Sequence, residues 1–218
     1  MSRFVVVDVE QRTPEWYQAR AGRLCASDAN DMLATIQKGE AAGRRNLRAK
    51  ILLERLTGKP QESNYQSQAM LNGIEREGDG LRLYEAVTGT ILCRSGFVQH
   101  AEHAAGWSPD AHTDDWSGFV EAKCPEPATH LETIVSNTVP TKYLRQMLHG
   151  GFWIGGAQWG DFVSYHPDFP EEMRLHVIRL QRNEADVRAY EVSALAFLKD
   201  VDADVARVQA ILQKRRAA

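Results

Sequence analysis

Cysteine is scarce in this chain. There are three in 218 residues, Cys25, Cys93 and Cys124, and none has CxxC spacing. That argues against a zinc or iron–sulfur cluster and suits a reducing cytoplasm. Long hydrophobic runs are also missing, since none approaches the ~18 apolar residues that span a bilayer. The short apolar start, Phe4-Val5-Val6-Val7, is interrupted by Asp8 and Glu10 with no small-residue cleavage site after it, so it does not read as a signal peptide. A cytoplasmic protein without membrane attachment is expected. Excess positive charge is absent as well: 26 Lys and Arg face 29 Asp and Glu, a net charge of −3. A DNA-acting protein with this balance must gather its cations in one groove, because phosphate contacts dominate affinity. The richest basic stretch, Arg44-Arg45-Asn46-Leu47-Arg48-Ala49-Lys50, reads as a solvated helix face. The seven histidines form no HExxH and there is no GxSxG, which leaves out zincin-type and serine hydrolases. His100 and His103 read as surface residues.

Repeats, low-complexity tracts and clear linkers are lacking too. With 43% apolar and 25% charged residues, 1–218 reads as a single domain with a substantial core. Thr13-Pro14-Glu15-Trp16 signals a helix start, with threonine as cap and proline at the first turn. Ser27 is expected to cap a short helix from Asp28. Further helices are expected over 44–56 and 66–87, then over 128–136 and 141–153. Strands are expected near 90–99, 105–109, 117–124, 158–165 and 173–181. From Asn183 to about Lys214, Val187, Tyr190, Leu195, Leu198, Val201, Val205, Val208 and Leu212 mark one stripe of a long amphipathic helix. The fold class is therefore α/β, a sheet flanked by helices with a long C-terminal helix.

Chemistry concentrates in Ser108-Pro109-Asp110 and, after ten intervening residues, Glu121-Ala122-Lys123. Strand alternation puts Glu121 and Lys123 on one face. A turn through 112–118 would return this strand beside Asp110. Two carboxylates and an ammonium then converge. Phosphodiester hydrolysis uses such a set: Asp110, Glu121 and the Ala122 carbonyl offer hard oxygens to Mg²⁺, which polarises phosphate and activates water. Lys123 can orient that water or stabilise the charge that builds on phosphorus. A surface hairpin with a cross-strand salt bridge would use the same residues. Glu77 shifts the balance. It shares a helical stripe with Ile74, Leu81 and Tyr84, and an inward glutamate needs a cation. Gly78 and Gly80 nearby suggest a close backbone approach or a locally broken helix.

These residues, with others in the same order, resemble the lambda-type phage exonucleases, the YqaJ-like viral recombinase nucleases of the PD-(D/E)xK superfamily. The resemblance rests on Trp16-Tyr17-Gln18-Ala19-Arg20 with Ala26-Ser27-Asp28, on Gly73-Ile74-Glu75-Arg76-Glu77, on the Asp110 and Glu121–Lys123 motif, and on Tyr143-Leu144-Arg145-Gln146. It implies a restriction-endonuclease-like core with a mixed central sheet. It also implies two Mg²⁺ ions (Mn²⁺ also suits such ligands). Asp110, Glu121 and Ala122 would hold one and Glu77 with Asp110 the other, with Gln146 as support. Arg20, Ser27 and Ser108 would bind a 5′-phosphate, with the start of the Ser27 helix beneath it. Met70 would wedge apart the terminal base pairs or, equally, fill the core. The implied activity is 5′-to-3′ digestion of one strand of linear duplex DNA to mononucleotides, leaving a 3′ single strand. A ring-shaped homotrimer, a single-strand annealing protein as partner and a phage or prophage origin in a bacterial host follow from the same resemblance. Ala111-His112-Thr113 departs from the family pattern, and the match fades after about Arg179. Another PD-(D/E)xK endonuclease or repair nuclease, or a catalytically silent DNA-end-binding subunit, is the alternative.

Overall fold

A computed structural model describes residues 3–61 and 68–217, the side chains of 68–72, 74, 75 and 217 excepted. Two four-stranded mixed sheets carry the architecture. The first orders its strands β1 (Phe4–Val7), β3 (Phe97–His100), β4 (Ala105–Trp107) and β2 (Leu24–Cys25). The second orders β5 (Ala111–His112), β6 (Gly118–Lys123), β7 (Trp159–Tyr165) and β8 (Leu175–Gln181). The fold class is thus α/β as expected, with the strands divided between two sheets. An isolated antiparallel bridge from Cys93 to His112 links the segment before β3 to β5.

β6 is the strand that matters for function. It runs parallel to β7, with Glu121 opposite Phe162, and antiparallel to β5, with Ala111 opposite Val120. Parallel strands buried on both faces read as near-continuous apolar runs, and five of its six residues are buried. Phe119 and Phe162 point into the larger core with Trp107, Met147, Trp153 and Phe197. Val120, Ala122 and Val163 point the other way, onto Leu81 and Tyr84 of α4 (Gln68–Thr88).

Local signals explain most boundaries. Thr13 caps α1 (Pro14–Arg20), its hydroxyl accepting from the Trp16 amide at 3.3 Å. Ser27 does not cap a helix, contrary to expectation. It lies inside a 3₁₀ turn, Ala26–Asp28, before the four-residue α2 (Ala29–Met32), and the Asp28 carboxylate closes that turn on the Cys25 amide at 3.0 Å. α3 (Ala42–Thr57) ends at Gly58 with φ +67°, a left-handed stop open to glycine. α4 is unbroken at its glycines. A Cβ on Gly80 would stand 2.9 Å from that of Tyr165, so this glycine permits helix and strand to touch. α5 (Pro127–Ser136) and α6 (Thr141–Met147) follow β6. Where one helix over 141–153 was expected, Leu148–Ile154 widens into π-helical turns. Gly151 lies there against the Phe119 ring, 2.2 Å from where its Cβ would be.

α7 (Glu184–Ala217) packs its Val187, Tyr190, Ala194, Phe197, Leu198 and Val201 into the larger core. Leu212, the last member of the expected stripe, is exposed. The basic stretch on α3 is not simply solvated. Arg44 reaches Asp200 at 3.3 Å, Arg48 reaches Asp204 at 2.8 Å, and Arg55 bonds Asp202, all on α7. These arginines staple the C-terminal helix to the body.

Candidate active site

β6 and the residue before β5 bring Asp110, Glu121 and Lys123 together. The Ala111–Val120 pairing leaves Asp110 beside the β6 backbone, where its Oδ2 accepts from the Ala122 amide at 2.8 Å. Lys123 Nζ lies 3.0 Å from Asp110 Oδ2, 2.6 Å from Glu121 Oε1 and 2.8 Å from the Ala122 carbonyl oxygen. The ammonium is therefore held by the three oxygens expected to ligate a metal. Tyr143 of α6 places its ring 5.7 Å from the same nitrogen.

Charge is unbalanced here. Burial pushes the Glu121 carboxyl up to about 7; Lys123 pulls it down, while Asp110 and Glu77 add to the rise. Burial would lower Lys123, yet Asp110 and Glu121 outweigh it and hold it protonated. These directions oppose each other across one 2.6 Å contact. Geometry decides between them: an ammonium bonded to three oxygens stays charged, so the shortage of positive charge falls on the carboxylates. Glu77, on the α4 stripe with buried Leu81 and Tyr84, is also pushed up to about 7, by burial and then by Asp110. Its Oε2 is 3.5 Å from Arg12 Nη2. Ile74, the fourth member of that stripe, has its side chain outside the described residues.

α4 is itself anchored beneath this point. The Tyr84 hydroxyl donates to buried Asp161 of β7 at 2.6 Å, and Arg179 of β8 grips the same carboxylate twice at 2.8 Å.

The residues expected to bind phosphate also gather. Arg20 is buried at the end of α1, donates to Ser27 Oγ at 3.1 Å and stacks 4.2 Å from the Trp16 ring centre. The Trp16 indole N–H donates to Ser108 Oγ at 2.8 Å and to the Gly96 carbonyl at 3.2 Å. Ser108 Oγ thus accepts a hydrogen bond, and its own O–H has no acceptor among the described residues, so it can donate to an anion. The helix expected to begin at Asp28 begins at Ala29, with Asp28 rather than Ser27 at its cap position. Gln146 is half-buried on α6, three residues after Tyr143, and its side chain has no hydrogen-bond partner among the described residues. The side chain of Met70 lies outside them.

Residues 15–158 match the model of the YqaJ-like viral recombinase domain. The chain belongs to that family. A solved alkaline exonuclease (LHK-Exo) from Laribacter hongkongensis is 32% identical, with a TM-score of 0.84 over 93% of this chain and 99% of that one. Its complex with dAMP gives a TM-score of 0.83 at 33% identity over the same shares, 93% and 99%. A phage related exonuclease from Haemophilus somnus 129PT, 11% identical, has a TM-score of 0.68 over 85% of this chain and 96% of its own, a likeness of fold alone. No curated protein matches the chain.

Within this family's fold, the donor set fits a hard divalent cation: two carboxylates and a backbone carbonyl already converge on one positive charge, and a third carboxylate stands close by. They do not yet close on a point of their own. Among the described residues, no three His, Cys, Asp or Glu side chains form a metal-binding group. Lys123 stands between the oxygens instead. The departure at Ala111-His112-Thr113 has a structural role. His112 stacks on Trp116 with ring centres 3.5 Å apart, and its Nδ1–H reaches the Thr113 carbonyl at 2.9 Å, while Nε2 meets Ser95 Oγ at 2.8 Å. Sequence reasoning missed Trp16 and Arg12 as site residues. Trp16 stood in the resemblance motif, four residues before Arg20, a spacing that puts both on one helix face. Arg12 carried no comparable signal.

Proposed function

We propose that this chain is a divalent-metal-dependent exonuclease that digests one strand of linear duplex DNA from 5′ to 3′, releasing mononucleotides and leaving a 3′ single strand. The observation that carries this is the convergence of Asp110, Glu121 and the Ala122 carbonyl on Lys123. It occurs in a chain of the viral recombinase family, similar over nearly its whole length to an alkaline exonuclease.

Asp110, Glu121 and the Ala122 carbonyl would hold one Mg²⁺, and Glu77 with Asp110 would hold a second. Bound Mg²⁺ supplies Lewis-acid polarisation of the phosphate and lowers the pKa of water. Lys123, displaced from the carboxylates, aims its ammonium at the attacking water or at the charge growing on phosphorus. Gln146 supports that arrangement, and Met70 serves as the wedge that parts the terminal bases. Water adds to phosphorus, the bond to the terminal nucleotide's O3′ breaks, and that oxygen takes a proton. The shortened strand then carries a new 5′-phosphate. Arg20, Ser27 and Ser108 hold that group, so each product end is also the next substrate end. A homotrimeric ring and a single-strand annealing partner complete the proposal.

The test uses duplexes labelled on one strand, with a 5′-phosphate or a 5′-hydroxyl, beside a closed circle, in Mg²⁺ or EDTA. Mg²⁺-dependent mononucleotide release from the phosphorylated strand, with the circle intact, is expected. Cutting of the circle would make the chain an endonuclease. Binding without cleavage would make it an end-binding subunit.

A further inference from the structure

A groove of about 640 Å³ opens beside the carboxylates, walled by the β1–α1 connection, residues 94–96 and residues 109–110. Its charged lining is Asp8, Glu10, Arg12, Glu77, Arg94 and Asp110. With all four carboxyls ionised the lining carries a formal charge of −2, and less as Glu77, pushed up to about 7, takes a proton, so the groove offers phosphate no net attraction. Arg12 is also engaged, its Nη2 3.5 Å from Glu77 Oε2. That contact is long for a charge-assisted bond, and the two side chains are 40% and 20% exposed. The backbone beneath it is pinned more firmly. Gln11 Nε2 donates to the Pro109 carbonyl at 3.0 Å and to the Ser95 carbonyl at 3.3 Å, tying the loop to the residue before Asp110. Arg12 can therefore exchange partners by side-chain rotation alone.

A divalent cation on Glu77 and Asp110 changes both facts together. With those carboxyls ionised, one ion would bring the lining to neutral and two to +2, and an ion on Glu77 would take the partner of Arg12. We propose that the groove is a second phosphate subsite for the substrate strand, in which Arg12, with Arg94 beside it, passes from Glu77 to a DNA phosphate when metal takes the Glu77 carboxylate. This rests on the nuclease reading above and extends it. Metal loading becomes a condition for gripping the strand as well as for cleaving it.

The experiment is fluorescence anisotropy of a short 5′-phosphorylated duplex, in EDTA or with Ca²⁺, another hard oxygen-seeking ion. It compares the full chain with Arg12→Ala, Arg12→Lys, Arg94→Ala and, outside the groove lining, Arg207→Ala. Ca²⁺ should tighten wild-type binding. Arg12→Ala should match wild type within about twofold in EDTA and bind roughly tenfold more weakly in Ca²⁺. Its salt dependence in Ca²⁺ should be shallower by about 0.9, one phosphate contact. Arg12→Lys should keep that slope while losing part of the affinity, and Arg94→Ala should follow Arg12→Ala. Arg207→Ala should follow wild type. An Arg12→Ala loss that is equal with and without Ca²⁺, or no loss at all, overturns the subsite. A wild-type chain that binds no DNA in either condition overturns the nuclease reading itself.

Discussion

Lys123→Met removes the ammonium and keeps most of the apolar stem. It deletes three contacts, at 2.6, 2.8 and 3.0 Å, and leaves Asp110, Glu121 and Glu77 with no lysine among them. Breaking a buried ion pair costs about 3–5 kcal/mol. The Lys123 side chain is 24% exposed, so water can fill part of the gap, and about 2–3 kcal/mol is the fairer figure. For a domain of this size that is roughly 4–12 °C of melting temperature in EDTA. Mg²⁺ should then recover much of the loss, since a ligand at a hundred times its Kd contributes about 2.7 kcal/mol. Wild type should gain less, because its own ammonium competes for the same oxygens. Thermal denaturation of both proteins in EDTA and in Mg²⁺ makes the comparison. Cleavage should stay depressed by roughly 10²–10³-fold even where stability returns. A variant as stable as wild type in EDTA, or one that gains no more from Mg²⁺, would refute the idea that lysine and metal share one set of oxygens.

Trp16→Phe keeps an aromatic face under Arg20 but loses the N–H to Ser108, about 1 kcal/mol, so preference for 5′-phosphorylated over 5′-hydroxyl ends should fall roughly fivefold. Arg20→Ala should cost roughly 10-fold or more in the same competition assay, and an unchanged preference removes either residue from the pocket. His149 is fully buried, meeting the Tyr190 hydroxyl at 2.8 Å and the Gly106 carbonyl at 3.1 Å, and burial pushes its pKa down to about 3. The unfolded chain protonates this ring near 6.5 and the folded one resists, so stability present above 6.5 should be lost as pH falls towards 3, by at most about 5 kcal/mol. His149→Gln should flatten that profile in denaturant titrations; an equal slope would assign the acid sensitivity elsewhere. Asp204→Asn should weaken the tie from Arg48 to α7 by about 0.2–1 kcal/mol at low salt and by much less in 1 M salt. A difference that does not respond to salt would mean that packing, not charge, holds the helix.

The legible parts of this protein are those set by neighbours in the chain. Strand alternation alone puts Glu121 and Lys123 on one face, and a short turn suffices to return β6 beside Asp110, so the centre of the site follows from about a dozen residues. The Glu77–Leu81–Tyr84 stripe is equally local. Contacts across the chain were not legible. The partners of Arg44, Arg48 and Arg55 lie about 150 residues further on, in a helix whose acidic face says nothing of where it docks. Ser27 reads as a cap because serine is favoured at helix N-termini, but the Arg20 guanidinium donates to its hydroxyl and Asp28 takes the cap position. The π-helical turns set Gly151 against the Phe119 ring, a contact that no local period encodes.

The same contacts bear on how an acidic chain would grip DNA. Arg44, Arg48 and Arg55 are joined to carboxylates of α7, Arg179 to Asp161 and Arg182 to Glu184. Folding uses these cations as struts. Fewer remain to meet phosphate, and those near the carboxylates stand beside several negative charges. Under the proposed function, divalent ions would therefore supply much of the positive charge at the point of cleavage. The affinity of this chain for DNA ends should then depend on metal more steeply than on monovalent salt alone.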